Sequence, residues 1–316
     1  MKMALNPVDK VEILTLQDNY IDIVPGDNSN IIQRAMPIED MELKNSIIAE
    51  HGFSAVVTVT RENKSHSMLF DFGFSSHGAA INAKFLNVNL AEIETLALSH
   101  GHMDHVGGLM DLVKQINRAD IELVVHPDVF RQERYIKASK KIKIRLPAFT
   151  REIAKQAGVK VIETKKPYPL LDKKILFLGE IPGITSFEKG APNFFYQEKG
   201  KEKWDDLQDD TALVANLMDK GLIVLSGCAH SGIINTIKYA QKVTGINDIF
   251  AVMGGFHLGG PDMDPVIHAT IEGLKQLEPN YIIPTHCTGR KAVNQIEREL
   301  PDSFLLNMSG TKLTFA

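Results

Sequence analysis

The sequence predicts an α/β fold in which two mixed β-sheets pack face to face and helices cover their outer faces. Three observations support this prediction. The first third of the chain is rich in short β-type runs, the middle alternates such runs with helical patterns, and further β-type runs close the chain. Several of the predicted strands end in histidine-containing motifs, which suits one compact unit. We therefore expect a single domain over residues 1–316.

Signals for regular elements can be assigned along most of the chain. Alternating apolar residues bounded by turn residues predict strands at 11–19, 53–61, 65–73, 94–100, 121–126, 174–181, 248–257, 281–286, 303–308 and 312–316. A hairpin is expected over 211–230, with its turn at 219–221. Apolar residues at helical spacing predict helices at 76–86, 106–116, 233–243, 265–277 and 292–299.

Two segments are less regular and are expected to be insertions that carry much of the substrate pocket. Residues 127–170 show a helical signal at 149–157 and a basic run at 137–145. Residues 182–209 are rich in glycine, proline and charged residues, which predicts a long loop.

Composition narrows the class of protein. The formal net charge is -4, so the chain lacks the basic excess typical of proteins that hold nucleic acid through phosphates. No run approaches the roughly 18 apolar residues of a membrane span, and the first residues do not resemble a signal peptide. The chain has only two cysteines, which we interpret as reduced thiols. These features predict a soluble, cytoplasmic protein with a small-molecule substrate.

One motif after a predicted strand carries most of the functional information. Residues 99–105 read Ser-His-Gly-His-Met-Asp-His, which is the pattern H-x-H-x-D-H. Imidazole nitrogens and carboxylate oxygens are common ligands of zinc and related divalent ions. His100 and His102 are two residues apart, so extended backbone points both side chains to one side, where they can share a metal. Asp104 and His105 follow as the chain turns into a helix, and they can hold a second metal nearby.

Further ligands must come from other parts of the chain, and three histidines follow later predicted strands. They are His230 in SGCAH, His257 in GGFHL and His286 in PTHCTG. Strand ends at one edge of an open sheet converge, so these side chains can meet the motif. His257 can equally well have a structural role.

The motifs together resemble those of the metallo-β-lactamase superfamily. Its hallmark is H-x-H-x-D-H with an upstream aspartate, here Asp71 in LFDFG, and distal histidines. The resemblance covers nearly the whole chain and implies an αββα sandwich. It is strongest to the branch that contains the archaeal synthase of 7,8-dihydropterin-6-ylmethyl-4-(β-D-ribofuranosyl)aminobenzene 5′-phosphate. The motifs of that resemblance lie at 17–19, 50–54, 70–75, 98–109, 226–233, 255–259 and 286–289.

The resemblance implies a dinuclear metal centre. His100 and His102 would hold one metal with a third ligand, and the other metal would take Asp104, His105 and His286. Asp71 would support the ligands from behind. Two divalent ions are expected, and the ligand set favours zinc, although iron and manganese share such sites.

The third ligand of the first metal departs from the family pattern. The strand that should end in a bridging aspartate ends in SGCAH, and His126 comes too early in the chain to replace the missing histidine. His230 is expected to fill that place, with Cys228 as the alternative. Two further carboxylates could also reach the site, namely Asp209 and Asp210.

The first hypothesis for function is a dinuclear-metal hydrolase that attacks a small, anionic substrate through a metal-activated water. In addition to Asp104, two histidines are candidate catalytic residues. His257 could protonate the leaving group or bind the substrate, and His51 in EHGFS could act similarly. The basic run at 137–145 could guide a phosphate, although a solvated face is the simpler interpretation.

Two alternatives stay open. The resemblance to the synthase implies a metal-dependent transferase of methanopterin-type biosynthesis, which joins a dihydropterin-methyl diphosphate to an aminobenzene ribosyl phosphate. The metals would then bind the leaving diphosphate. The chain could instead be a metal-stabilised binding or sensor protein without turnover. The sequence indicates neither the substrate nor the oligomeric state.

Overall fold

The computed structural model describes residues 2–24, 26–36, 38–43, 46–260 and 263–316. Its strands are β1 (Pro7–Val8), β2 (Lys10–Gln17), β3 (Ile32–Gln33), β4 (Ile38–Glu39), β5 (Glu42–Leu43), β6 (Ser54–Arg61), β7 (Lys64–Phe70), β8 (Ile93–Ala97), β9 (Glu122–Val125), β10 (Arg134–Lys137), β11 (Lys143–Arg145), β12 (Lys160–Glu163), β13 (Tyr168–Leu170), β14 (Ile175–Phe177), β15 (Phe194–Glu198), β16 (Lys201–Trp204), β17 (Ala212–Leu217), β18 (Gly221–Ser226), β19 (Ile249–Gly255), β20 (Tyr281–Thr285) and β21 (Lys312–Phe315).

The α-helices of the described residues are α1 (Gly78–Phe85), α2 (Met103–Val106), α3 (Leu109–Ile116), α4 (Arg151–Gln156), α5 (Ile233–Thr244), α6 (Asp264–Leu277) and α7 (Arg290–Glu299). Short 3-10 turns lie at Leu90–Glu92, Pro127–Phe130 and His286–Thr288. No helix within these described ranges has the length and apolar character to cross a membrane.

Two large mixed sheets form the centre of the molecule. The first has the order β12-β9-β8-β7-β6-β2-β21-β3, and the second has the order β13-β14-β17-β18-β19-β20 with β1 beside β17. Strands β7, β8 and β9 run parallel, as do β18, β19 and β20. A small third sheet has the order β11-β10-β15-β16, and β4 pairs with β5.

The period of two along the strands decides which residues fill the core between the sheets. In β2, Val11 and Ile13 face the second sheet, while Leu14 and Leu16 face the helices of the outer layer. In β18, Ile223 faces the first sheet and its neighbours along the chain face outward. Both faces of these central strands are therefore apolar, as expected where a sheet is covered on two sides.

Helices complete the outer layers. Helices α1, α3 and α4 bury their apolar residues on the first sheet, and α5, α6 and α7 do so on the second. In α3 the buried side chains are Leu109, Leu112, Val113 and Ile116, at the spacing that predicted a helix here. The predicted α/β class with two mixed sheets packed face to face is confirmed.

Three expectations about local structure are wrong. The segments 127–170 and 182–209 are not irregular, since they contribute strands to the small third sheet and to both large sheets. Strand β16 is exposed along its length, so no apolar alternation marks it. The expected strand at 303–308 makes only one isolated bridge, from Phe304 to Ile282. Side-chain hydrogen bonds take the place of strand pairing later in this segment, where Asn307 donates to the Asp18 carboxylate.

The expected helix at 106–116 is broken into α2 and α3. The break falls at Gly107, where an added Cβ would lie 1.7 Å from the Phe74 carbonyl oxygen. The backbone of the motif therefore packs directly against the loop after β7, and only glycine permits this approach.

Candidate metal centre

The H-x-H-x-D-H motif lies where strands of both large sheets end. It follows β8 of the first sheet, while β18, β19 and β20 of the second sheet end beside it at Ser226, Gly255 and Thr285. The chain after these three strands supplies the SGCAH, GGFH and THCT motifs. The fold thus brings together side chains that are up to 186 residues apart in sequence, from His100 to His286.

Three buried imidazoles form a first cluster. His100 Nε2 lies 3.1 Å from His102 Nδ1 and 3.2 Å from His230 Nε2. Burial lowers the pKa of His102 to about 3 and holds the pKa values of His100 and His230 well below the ordinary value. All three rings are therefore neutral near pH 7, with lone pairs available to a cation.

A second cluster is centred on Asp104. Its Oδ2 lies 3.2 Å from His286 Nε2 and 3.9 Å from His105 Nε2. Burial alone would raise the pKa of Asp104, but the neighbouring His105 charge and hydrogen bonds from His286 and His51 lower it. The carboxylate is thus ionised. Burial also opposes protonation of His105, yet Asp71 and Asp104 raise its pKa to about 9.

Cys228 Sγ lies between the two clusters. It is 3.1 Å from His105 Nε2, and it is close to ligand atoms of both groups. Sequence reasoning named Cys228 only as an alternative to His230. The structure instead places both side chains beside the other ligand candidates.

In the first cluster, the two separations from His100 Nε2 are close to those of a tetrahedral metal site. Zinc binds imidazole nitrogen at about 2.0–2.1 Å, which places two nitrogens of a tetrahedron about 3.4 Å apart. The observed separations of 3.1 and 3.2 Å are close to this value. Each contact can also be an N–H···N hydrogen bond, whose donor depends on the ring tautomers. In the second cluster, His286 Nε2 and Asp104 Oδ2 lie at a comparable separation of 3.2 Å. The donor atoms therefore fit divalent cations.

Asp71 and Ser99 hold the rings from behind. Asp71 Oδ2 accepts from His105 Nδ1 at 2.6 Å, and both its oxygens accept from Ser99, one from the amide and one from the hydroxyl. Because the hydroxyl hydrogen is committed to Asp71, Ser99 Oγ accepts from His100 Nδ1 at 2.9 Å. These contacts fix both rings with Nε2 toward the centre.

Sequence reasoning missed how His286 is held. Asp18 Oδ1 accepts from the His286 amide at 2.9 Å, and Asn19 Oδ1 accepts from His286 Nδ1 at 3.0 Å. Both residues follow the β2 ladder, at the opposite end of the chain from His286. The QDN motif at 17–19 was the available signal, but a motif alone did not indicate its partner.

The two acidic candidates of the long loop have different environments. Asp209 is paired with Arg134 and accepts from the Gly101 amide at 2.9 Å, so it braces the motif rather than facing the ligand atoms. Asp210 Oδ2 accepts from the Ser231 amide, and its buried Oδ1 has no partner. Burial raises the pKa of Asp210 to about 7.

The remaining histidine candidates lie at different distances from the centre. His51 Nε2 is 3.3 Å from Asp104 Oδ2, and its side chain is 60% exposed. The His257 ring lies 4.1 Å, centre to centre, from that of His230, and its Nδ1 is buried without a partner. His126 faces Glu180 and its own following turn, in agreement with its exclusion as a ligand.

Comparison with known proteins identifies the family. A family model described as the metallo-β-lactamase superfamily matches residues 50–192. The 7,8-dihydropterin-6-methyl-4-(β-D-ribofuranosyl)-aminobenzene-5′-phosphate synthase of Methanocaldococcus jannaschii is 32% identical over 318 residues, covering 100% of both chains. This chain belongs to the metallo-β-lactamase superfamily. The predicted resemblance is confirmed, including the branch.

One further sequence relative and one solved structure are also similar to this chain. An uncharacterised protein of the same archaeon is 32% identical over 79% of this chain and 88% of its own length. The crystal structure of Tm1679, described as a metal-dependent hydrolase of the β-lactamase superfamily, superposes with a TM-score of 0.73. That match covers 96% of this chain and 98% of the other at 24% identity, which shows a shared metallo-β-lactamase fold.

Proposed function

We propose that this chain is a metal-dependent transferase that joins a dihydropterin-methyl diphosphate to an aminobenzene ribosyl phosphate. The observation that carries the proposal is the 32% identity to an archaeal pterin-ribosyl-aminobenzene phosphate synthase over the full length of both chains. The hydrolase hypothesis becomes the second candidate, because superfamily membership supports metal-dependent chemistry without specifying hydrolysis.

The centre would hold two divalent cations. His100, His102 and His230 would bind one ion, and the second would take three further ligands, Asp104, His105 and His286. Cys228 would contribute its sulfur between them. Mixed nitrogen, oxygen and sulfur ligands favour zinc. When bound, such ions offset the negative charge that develops on a departing diphosphate, or acidify a water molecule in hydrolysis.

A cavity of about 490 Å³ beside the centre supports a flat aromatic substrate. Phe187, Phe194 and Phe256 line it together with His230 and His257. Aromatic walls stack on planar rings such as a pterin. The ring of Phe194 already stacks on that of His102, with centroids 5.3 Å apart. A planar ring bound in the cavity would therefore lie beside the first ligand cluster.

Three side chains near the cavity or the metal centre have separate roles in the proposed reaction. Lys189 lines the cavity and can pair with a phosphate. Coupling breaks the bond between the pterin methylene and its diphosphate oxygen, and a new bond forms from the methylene to the amine nitrogen. The amine then loses a proton, for which half-exposed His51 is the candidate acceptor. His257 faces the cavity and would contact the substrate.

The hydrolase candidate uses the same residues with water in place of the amine. It is favoured by the solvent-facing position of His51 beside Asp104, which could exchange protons with water. A binding or sensor protein without turnover is the third candidate, and it would also retain the ligand clusters.

Product analysis separates the three candidates. The metal-loaded protein is mixed with both pterin and aminobenzene substrates, and the products are identified by mass spectrometry. A coupled product with a new carbon–nitrogen bond supports the transferase. Pterin alcohol alone would indicate the hydrolase, and bound metal without any product would indicate a binding protein. His102→Ala should abolish the product, whereas the exposed His268→Ala should not.

A further inference from the structure

We propose that Cys228, His257 and Cys287 form a third, sulfur-rich cation site that takes a thiophilic divalent ion of the zinc class. Their ligand atoms all lie within 4.8 Å of one another. His257 and Cys287 belong to neither ligand set of the proposed dinuclear centre, while Cys228 would be shared with it. The third site is thus a separate position, and it does not depend on the identity of the substrate.

The topology brings the three ligands to one place. Strands β18, β19 and β20 are parallel neighbours that end at Ser226, Gly255 and Thr285. Each of the three ligands lies two residues beyond the end of its own strand. Because neighbouring parallel strands end at the same sheet edge, this equal offset sets the side chains at a common level.

The backbone after these strands is unusual in the same places. His257 has a φ of 46°, and two other non-glycine residues of these turns, Ala229 and His286, have φ values of 49° and 44°. Left-handed conformations cost L-residues free energy and cluster at functional sites. His257 is itself one of the three ligands, His286 directly precedes Cys287, and Ala229 directly follows Cys228, so each left-handed residue shapes the turn that presents one ligand.

Glycine at position 255 leaves space for the sulfur atoms. A Cβ there would lie 2.5 Å from Cys287 Sγ and 3.1 Å from Cys228 Cα. Any side chain at this position would therefore displace Cys287 from Cys228. The close approach of the two cysteines depends on this strand end having no side chain.

The chemistry of the three side chains suits a soft or borderline cation. The Cys287 thiol donates to the Cys228 carbonyl oxygen at 3.5 Å, and the buried Nδ1 of His257 has no hydrogen-bond partner. Two thiolates offset the charge of one divalent ion, and each thiol releases its proton to solvent as the ion binds. Thiolate and imidazole ligands favour zinc over magnesium or calcium.

Three protein ligands leave a fourth position open. Because His257 lines the 490 Å³ cavity, that position would face the substrate. The site thus has the ligand number of a catalytic metal rather than that of a closed structural one. His257 would act there as a ligand, which agrees with the proton-transfer role falling on His51.

Metal titration tests the proposal directly. The chain has only two cysteines, so sulfur-to-cobalt charge-transfer absorption must arise from Cys228, which the dinuclear centre shares, or from Cys287, which belongs to the third site alone. Reduced protein stripped by chelator is titrated with Co²⁺ or Cd²⁺ and the bound ions are counted. We expect three equivalents of Cd²⁺, and Cys287→Ser should bind one fewer and weaken the cobalt band. Unchanged stoichiometry and an unchanged band in Cys287→Ser would overturn the third site.

Two further variants separate this site from the dinuclear centre. His102→Ala should lose an equivalent of Cd²⁺ but keep the part of the cobalt band that depends on Cys287. The exposed His268→Ala should behave like the unaltered chain. Three bound ions without any coupled product would refute the transferase and leave the third site standing.

Alkylation of the unaltered chain gives a measurement that needs no variant. Cys287 is partly exposed, whereas Cys228 is buried, so a thiol reagent reaches Cys287 first. Since a metal-bound thiolate is a poor nucleophile, saturation with Cd²⁺ should slow alkylation of Cys287 roughly tenfold or more. Equal rates with and without Cd²⁺ would contradict the site. So would a Cys228–Cys287 disulfide that persists under reducing conditions.

Discussion

Asp71 Oδ2 lies 2.6 Å from His105 Nδ1, and both side chains are fully buried. The carboxylate accepts all of its hydrogen bonds, from this imidazole and from the amide and hydroxyl of Ser99. It therefore holds the His105 ring with the other nitrogen toward Cys228 and Asp104. Asp71 follows β7 and Ser99 follows β8, so these hydrogen bonds join the ends of two strands of the first sheet to the His105 ring.

Asp71→Asn should weaken metal binding without unfolding the chain. The amide must point its NH₂ group at a donor, either His105 or Ser99, so one hydrogen bond becomes a donor–donor contact. Loss of such outer support typically costs about 10–100-fold in metal affinity. Competition with a chromophoric chelator measures the change. The control is Asp120→Asn at an exposed turn, and an affinity equal to that control would contradict the assigned role.

Gly107→Ala should strongly destabilise the protein, although alanine is the better helix former. The added Cβ would lie 1.7 Å from the Phe74 carbonyl oxygen and 2.4 Å from its carbon, both of them backbone atoms. Overpacking of this kind costs typically 1–3 kcal/mol, and a backbone clash lies at or above the upper end. Urea unfolding measures the free-energy change.

Gly183→Ala is the matched control for that substitution. Nothing lies within 4 Å of its added Cβ, and the residue is exposed. The substitution should change the free energy of unfolding by less than about 1 kcal/mol, and the change can be an increase because alanine restricts the unfolded chain. If the two alanine variants unfold at the same urea concentration, the close approach at Gly107 is not as tight as the structure indicates.

Arg134→Met should reduce the free energy of unfolding by about 3–5 kcal/mol, since it leaves a buried carboxylate without its charge partner. The Arg134 guanidinium lies 2.6 Å from Asp209 and 2.9 Å from Asp205, and all three side chains are buried. Arg118→Met removes an exposed guanidinium and should stay within about 0.5 kcal/mol. Comparable unfolding midpoints for both variants would refute a structural role for this ion cluster.

Asp210 should make the stability of the metal-free protein depend on pH. Burial raises its pKa from 3.8 to about 7, so between these values the folded chain keeps a proton that the unfolded chain has lost. The free energy of unfolding must therefore fall as pH rises through this window. The amide side chain of the Asp210→Asn variant does not titrate in this window. The free energy of unfolding of this variant, relative to that of the unaltered chain, should therefore rise by roughly 4 kcal/mol between pH 4 and pH 8.

Urea unfolding at several pH values after chelation measures this difference. Asp219→Asn, in the exposed turn between β17 and β18, provides the control and should show a difference that does not change with pH. A pH-independent difference for Asp210→Asn as well would mean that this carboxyl group is ionised in the folded chain.

The sequence alone determined the fold class, the central strands and the identity of most candidate ligands. Period-two alternation and helical spacing are local signals, so strands such as β6 and the buried face of α3 could be predicted. The H-x-H-x-D-H motif is also local, and four chemically suited residues within six positions indicated metal chemistry without any structure. Resemblance to a known branch then supplied the expected αββα arrangement.

Only the tertiary structure decided how the distant residues meet. The position of Cys228 between two ligand clusters, the contact of Asn19 with His286 and the pairing of Arg134 with Asp209 each join segments far apart in sequence. The two halves of the small third sheet are likewise joined by the long-range pairing of β10 with β15, and its exposed strands β11 and β16 give no periodic apolar signal. Such contacts depend on how the two sheets pack and where their strands end, and no local pattern encodes that geometry.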